Sequence, residues 1–188
     1  MYRSFFKRLT DVLASLMVLI ISSPILLIVG LIVFLQDFGP VIFKQQRVGR
    51  NGKVFLFYKF RSMPINTPNV QSSDTKKLVI TPFGKFIRRT SIDELPQLIN
   101  ILKGDMSLIG PRPPIPTQEN LINLRRENGA LACRPGLTGL AQINSYDFMP
   151  EEEKAKWDGI YANSISFVND TSIVFKTLKY LTSPPPTY

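Results

Sequence analysis

The chain has 188 residues, 44% hydrophobic and 11% aromatic, which supplies one real core and excludes a wholly disordered chain. Lysine and arginine number 23 against 14 acidic residues, and the formal charge of +9 points to an anionic partner: a phosphorylated substrate, anionic lipid or nucleic acid. With no histidine and one cysteine, Cys133, imidazole catalysis, the usual zinc sites and an intramolecular disulfide are excluded. Proton transfer must fall to Asp, Glu, Lys or Tyr, and the single thiol suits a reducing compartment.

Val12 to Leu35 is a run of 24 residues without a charge. As a straight helix it would measure about 36 Å, enough to cross a bilayer. Ser23 and Pro24 lie at its midpoint, and Pro24 cannot donate to the Ile20 carbonyl, so a kink is expected there. Each half is then of re-entrant rather than spanning length. Arg3, Lys7 and Arg8 precede the run, and Lys44, Arg47, Arg50 and Lys53 follow it. Positive charge marks the cytoplasmic side, and a helix–break–helix hairpin returning to one leaflet satisfies both flanks. An ordinary kinked span is the alternative.

Two β-rich runs, VIFKQQRV and KVFLFYKFRSM, flank Gly49-Arg50-Asn51-Gly52 and read as a hairpin. Pro64 to Lys77 is polar, with two prolines, and reads as a mobile surface loop. Leu95, Leu98, Ile99 and Leu102 follow a helical repeat that Gly104 stops. A second helix is expected from about Thr117 to Glu127, ending at Asn128-Gly129, and a third opens at Pro150 with acidic residues in its first turn. A basic amphipathic helix after Asp170, with Ile173, Val174, Leu178 and Leu181, would lie on a membrane surface or pack on the core. Pro184-Pro185-Pro186 reads as an extended tail. The division is a membrane hairpin over 1–38, a catalytic domain over 39–182 and a tail over 183–188. The fold class is α+β: a mostly helical single domain with a small β-hairpin.

The chemistry concentrates in GKFIRRTSIDELP. Pro96 belongs in a first helical turn, which makes Asp93 an N-cap and Glu94 the first helical residue; Ser91 with Glu94 matches a capping box that would start the helix earlier. At a helix N-terminus both carboxylates would be kept ionised, fit to attack phosphorus or hold a hard cation. Such acids are also ordinary stabilising choices. Arg88 and Arg89 lie just upstream, and Arg112 and Arg134 each stand beside prolines, a stiff setting for bidentate phosphate contacts. Carboxylates beside arginines are the parts of phosphoryl transfer, and an adjoining apolar segment points to a lipid substrate. Neither a Walker A loop nor a dinucleotide fingerprint is present. FLFYKFR could stack bases but reads more simply as a core strand, so nucleic acid is not an expected partner.

These segments together resemble the bacterial sugar transferases of the monotopic phosphoglycosyl transferase family, close to the minimal PglC-like catalytic unit. The resemblance runs from the Ser-Pro-interrupted helix through VIFKQQRVGRNG, FYKFRSM, FGKFIRRTSIDELPQLINILKGDMSLIGPRPP and RPGLTGLAQIN to Asp158, Tyr161, Ser166 and Asp170. It implies transfer of a sugar-1-phosphate from a UDP-sugar to polyprenol (undecaprenyl) phosphate with release of UMP, through a covalent phosphosugar intermediate. Asp93 would be the nucleophile and a magnesium (Mg2+) ligand, and Glu94 would handle protons or position the lipid phosphate. Arg112 would contact phosphate or nucleotide, with Lys59, Arg88, Arg134 and Asp170 as further substrate contacts. The implied location is the cytoplasmic face of the bacterial inner membrane, among membrane lipid. Ser145-Tyr146-Asp147-Phe148-Met149 departs from the family's usual run there and leaves the sugar open. A competing reading is a non-catalytic membrane scaffold that binds anionic lipid or partners.

Overall fold

A computed structural model describes residues 2–65, 67, 80–145 and 149–182. Most of the Pro64–Lys77 loop, Tyr146 to Phe148 and the 183–188 tail lie outside the described residues.

The apolar run forms one long helix, α1 (Lys7–Asp37), with Pro24 inside it. The expected break at Ser23-Pro24 does not interrupt it. Pro24 frees the Ile20 carbonyl, and the Ser23 hydroxyl donates to that oxygen at 2.8 Å, so the orphaned acceptor is satisfied within the helix. One stripe of α1 touches the rest of the protein along its length: Asp11, Ser15, Leu19, Leu26, Val29 and Val33 recur at helical spacing. The opposite face leaves Leu13, Met17, Ile20, Ile21, Leu27, Ile28 and Leu31 exposed.

Both ends of α1 are tied down by polar contacts. Arg8 donates to the carbonyls of Ile101 and Leu102 at 2.6 and 3.0 Å, Asp11 accepts from the Leu108 amide at 3.0 Å, and Asp37 pairs with buried Arg61. The flanking cations are therefore not all free to face lipid headgroups. Lys7 is paired with Asp170, and Arg47 is buried.

The hairpin is present. β1 (Ile42–Val48) pairs antiparallel with β2 (Val54–Phe60), from Ile42↔Phe60 to Val48↔Val54. Its loop needs left-handed backbone at Asn51 (φ 57°) and Gly52 (φ 82°), which the Asn-Gly pair tolerates best. Helix α2 (Pro82–Arg89) follows, with the Thr81 side chain accepting from the Gly84 amide at 2.9 Å. Helix α3 (Gln97–Lys103) ends where expected, on Gly104 at φ 93°.

The buried face of α3 follows the expected Leu95, Leu98, Ile99, Leu102 repeat only in part: Leu98 is buried and Leu95 packs on the same cluster. Gln97, Leu98, Asn100 and Ile101 face inward, while Ile99 is exposed. Asn100 explains the rotation: its amide donates to the Leu56 carbonyl at 2.6 Å and accepts from the Tyr58 amide at 3.0 Å, stitching α3 to β2. Leu98 and Ile101 then close a cluster with Phe57 and Met106. Burial of each such side chain contributes roughly 1.5–3 kcal/mol.

Strand β3 (Ser107–Ile109) precedes α4 (Glu119–Glu127), which starts slightly later than predicted. Strand β4 (Gly136–Thr138) pairs with β3 in parallel, a small sheet the sequence does not announce. After α5 (Leu140–Ile143) come α6 (Glu151–Asn163), opened by Pro150 as expected, and α7 (Phe167–Thr182). Ile173 of α7 packs with Ile109 and Tyr161, whereas Phe175 and Leu178 are exposed. The fold is mostly helical with small sheets and an N-terminal apolar helix, in keeping with α+β.

Candidate active site

The two carboxylates stand in the elbow between α2 and α3. After Arg89 the chain turns through Ser91, whose φ of 56° is left-handed, and then makes a short 3-10 turn over Ile92–Glu94. Pro96, not Asp93 or Ser91, is the N-cap of α3, and no side chain closes a capping box. Leu95 keeps helical backbone (φ −57°, ψ −32°), but Pro96 has no amide hydrogen to bond back to the preceding turn, so the 3-10 turn and α3 stay separate. Asp93 is therefore buried in the elbow at 5% exposure rather than capping a helix.

Burial and the adjacent Glu94 push the Asp93 carboxyl up to about 6, against the pull of Lys59, Arg88 and Arg112. This corrects the expectation that a helix dipole keeps both acids strongly ionised. Glu94 behaves as expected but for another cause. Burial pushes it up, and Arg112, with Lys59 and Gln97, outweighs that and holds it below the usual range. Arg112 grips it with both terminal nitrogens, at 2.6 and 3.4 Å.

Lys59 reaches the site from β2, its ammonium 5.9 Å from the Phe43 ring centroid, and burial lowers it to about 8. Arg88 comes from α2, oriented by a 2.8 Å hydrogen bond from Nε to the Ser62 hydroxyl. The same segment sets the height of α2. A Cβ at Gly84 would collide with the Ser62 carbonyl oxygen, which is backbone and cannot turn aside. Gly84→Ala is therefore expected to cost about 1–3 kcal/mol and to displace Arg88. Thermal unfolding and a weakened response of activity to Arg88→Ala in that background check this.

The structure brings together Asp93, Glu94, Lys59, Arg88 and Arg112, and sets Arg134 and Asp170 elsewhere. Arg134 donates to the Gly104 carbonyl at 3.2 Å, in a neighbourhood where burial, Arg50 and Arg8 depress its pKa. Asp170 is buried and accepts from Lys7 Nζ at 2.7 Å and from the hydroxyls of Tyr2 and Tyr161 at 2.8 and 2.9 Å. It anchors the N-terminal segment to α6 and α7. Sequence reasoning missed Ser62, Arg47 and Arg125. Arg125 in LRRE reads as an ordinary cation in the last turn of a helix, and Arg47 as one of the basic residues that flank the apolar run.

Among the described residues no group of three or more His, Cys, Asp or Glu side chains gathers in a way that could hold a metal ion. Magnesium does not require one. It is commonly held by one or two carboxylates, with substrate phosphates and water completing the shell. Asp93, whose cationic neighbours act on it through space, fits that mode.

The family model for bacterial sugar transferases matches residues 2–183. An undecaprenyl-phosphate galactose phosphotransferase of Salmonella typhimurium is 40% identical over 93% of this chain and 40% of its own length. A UDP-glucose:undecaprenyl-phosphate glucose-1-phosphate transferase of Klebsiella pneumoniae is 40% identical over 92% of the chain and 39% of its own. The chain thus spans about two fifths of these relatives. The sugar transferase EpsL of Bacillus subtilis, itself uncharacterized, is 39% identical over 92% of the chain and 85% of its own length. With the match running from the first helix through the carboxylate elbow to α7, this chain belongs to the bacterial sugar transferase family.

Proposed function

We propose that the chain transfers a sugar-1-phosphate from a UDP-sugar to polyprenol phosphate, releasing UMP, by way of a phosphosugar bound covalently to Asp93. The observation that carries this is a buried aspartate ringed by Lys59, Arg88 and Arg112 in a protein with a long apolar helix. The names of the relatives supply the undecaprenyl-phosphate acceptor.

An Asp93 oxygen attacks the phosphorus that carries the sugar. The new O–P bond forms as the bond to the bridging diphosphate oxygen breaks, and UMP leaves with that electron pair. An oxygen of polyprenol phosphate then attacks the same phosphorus and frees the carboxylate. Lys59, Arg88 and Arg112 offset the repulsion between an anionic nucleophile and an anionic donor. Glu94, held below its ordinary pKa, is a weak proton acceptor and serves chiefly to aim Arg112. Asp93 would hold the magnesium, which when bound supplies further positive charge against the diphosphate.

The apolar helix dips into the cytoplasmic leaflet of the inner membrane and keeps both flanks on the cytoplasmic face. Its two ends are tied to the same folded unit, at Arg8 and Asp11 and again at Asp37, which supports this over a span. Cysteines placed at Arg3 and Lys44 should both react only from the cytoplasmic side; labelling of either from outside means a span. Because α1 runs unbroken through Ser23-Pro24 and is held at both ends, Ser23→Ala with Pro24→Ala should leave both flanks on the cytoplasmic side; labelling of either from outside would mean that this pair, and not the end contacts, sets the topology.

Intact-protein mass after mixing purified protein with Mg2+ and a panel of UDP-sugars, without acceptor, tests the reaction. A gain of one sugar phosphate, matched by UMP release and absent in Asp93→Asn, is the expected result. No gain and no UMP with any donor would overturn the reading.

A further inference from the structure

The turn that carries Arg112 has an unusual hydrogen-bonding problem. Pro111, Pro113 and Pro114 have no amide hydrogen, so the segment cannot build a ladder of its own. Four consecutive carbonyls are instead taken by four different donors. Pro111 accepts from the Gly136 amide at 2.9 Å and Pro114 from the Val48 amide at 2.8 Å. Between them, Arg112 accepts from an Arg125 terminal nitrogen at 2.9 Å and Pro113 from an Arg47 terminal nitrogen at 3.0 Å. The outer two donors belong to strands, while the inner two are buried arginine side chains from β1 and α4.

Each of these arginines is itself fixed. Arg125 places Nε and its other terminal nitrogen on one Asp158 oxygen at 2.8 and 2.6 Å, and Asp158 is 1% exposed. Arg47 donates to Gln45 at 2.6 Å and lies 5.3 Å over the Phe57 ring centroid. Neither guanidinium is a phosphate ligand in this arrangement: Arg125 has Nε and both terminal nitrogens engaged, and Arg47 is buried with both terminal nitrogens engaged and only its Nε without a partner.

We infer that Arg125 and Arg47 are positioning residues: by holding the Arg112 and Pro113 carbonyls they fix the turn so that the Arg112 guanidinium points at the Asp93-Glu94 elbow. The consequence for function rests on the reading of Arg112 as a phosphate contact; the mechanical claim does not. A lysine at position 125 can still pair with Asp158 but cannot span from it to the Arg112 carbonyl, because it lacks the fork. The fold is retained and the aim is lost. A displacement of about 1 Å in such a group is enough to cost on the order of 100-fold in rate.

The test uses the full chain in detergent. Order of the Arg112 Nε–H bond is read by NMR relaxation, its resonance assigned from Arg112→Lys, and UDP binding is measured by calorimetry. In Arg125→Lys the Arg112 signal should become mobile and UDP affinity should fall about tenfold. In an Arg112→Lys background the same substitution should change affinity less than twofold, since the group it positions is gone. Arg47→Lys should behave alike. An Arg112 signal as ordered as in wild type, or equal losses in both backgrounds, would overturn the proposal. If Arg125→Lys unfolds, Arg125→Met with Asp158→Leu keeps the volume without the charges and asks the same question. Should the wild type release no UMP from any donor, the functional reading fails by itself, and the Arg112 signal still decides the positioning.

Discussion

Asp93→Asn is expected to abolish sugar-phosphate adduct formation and UMP release while making the protein more stable. The carboxyl is pushed up from an ordinary 3.8 to about 6 because the folded state buries it and sets Glu94 beside it. Its charge is therefore disfavoured by folding. At about 1.4 kcal/mol per unit, the disfavour is roughly 2–3 kcal/mol at neutral pH. Asparagine keeps the shape and removes the charge, so a rise of roughly 5 °C in melting temperature follows.

The pH dependence has a definite sign. Between about 4 and 6 the folded state binds the proton and the unfolded state does not, so wild-type stability falls as pH rises through that window. The advantage of Asp93→Asn should be absent at pH 4, grow to pH 6 and be complete above it. Wild-type activity should rise later, with its midpoint near pH 6, where Asp93 ionises in the folded state. Melting curves and UMP release across pH 4–8 check both. An inactive variant with no stability gain at pH 7.5 would mean that Asp93 is not strained by its burial. A catalytic group disfavoured by its own fold is a common exchange of stability for activity.

Asp170→Ala is expected to cost about 3–5 kcal/mol, because it strands a buried cation. Lys7 has only 12% of its side chain exposed and ends 2.7 Å from Asp170, which also takes the hydroxyls of Tyr2 and Tyr161. Removing one member of a buried pair leaves the other charge desolvated and unpaired. The melting temperature in one detergent should fall by roughly 10 °C. Activity at low temperature should then follow the folded fraction, with an unchanged KM for the UDP-sugar. A raised KM at nearly intact stability would instead make Asp170 a substrate contact, as the family resemblance implies. Detachment of the N-terminal segment should also show as faster proteolysis ahead of α1.

Local chemistry was readable from the chain wherever it depends on neighbours in sequence. The uncharged run gives α1, the Asn-Gly pair gives the hairpin loop, Gly104 ends α3 and Pro150 opens α6. The carboxylate pair with Arg88 and Arg112 was likewise found by residue type and proximity to prolines. Its electrostatics were not. Whether a carboxyl is pushed up or down depends on burial and on cations as distant in the chain as Lys59 and Arg112, which a helix-cap argument cannot weigh.

The sequence by itself determined the hairpin, the main helices, the apolar character of the first helix and the inventory of reactive groups, but not the β3–β4 sheet, because turn preference, hydrophobic run length and ionisable chemistry are local properties whereas the pairing of two short parallel strands is not. Tertiary structure alone decided which cations serve the site. Arg134 and Asp170 read like Arg112 and Glu94 in one dimension, yet Arg134 is bonded to the Gly104 carbonyl, and Asp170 anchors Lys7 from 163 residues away. Arg125, which looks like a helix-end cation, holds the turn beneath Arg112. Such pairings are fixed by which backbone and side-chain groups must be satisfied once water is excluded, and that is settled only when the elements pack.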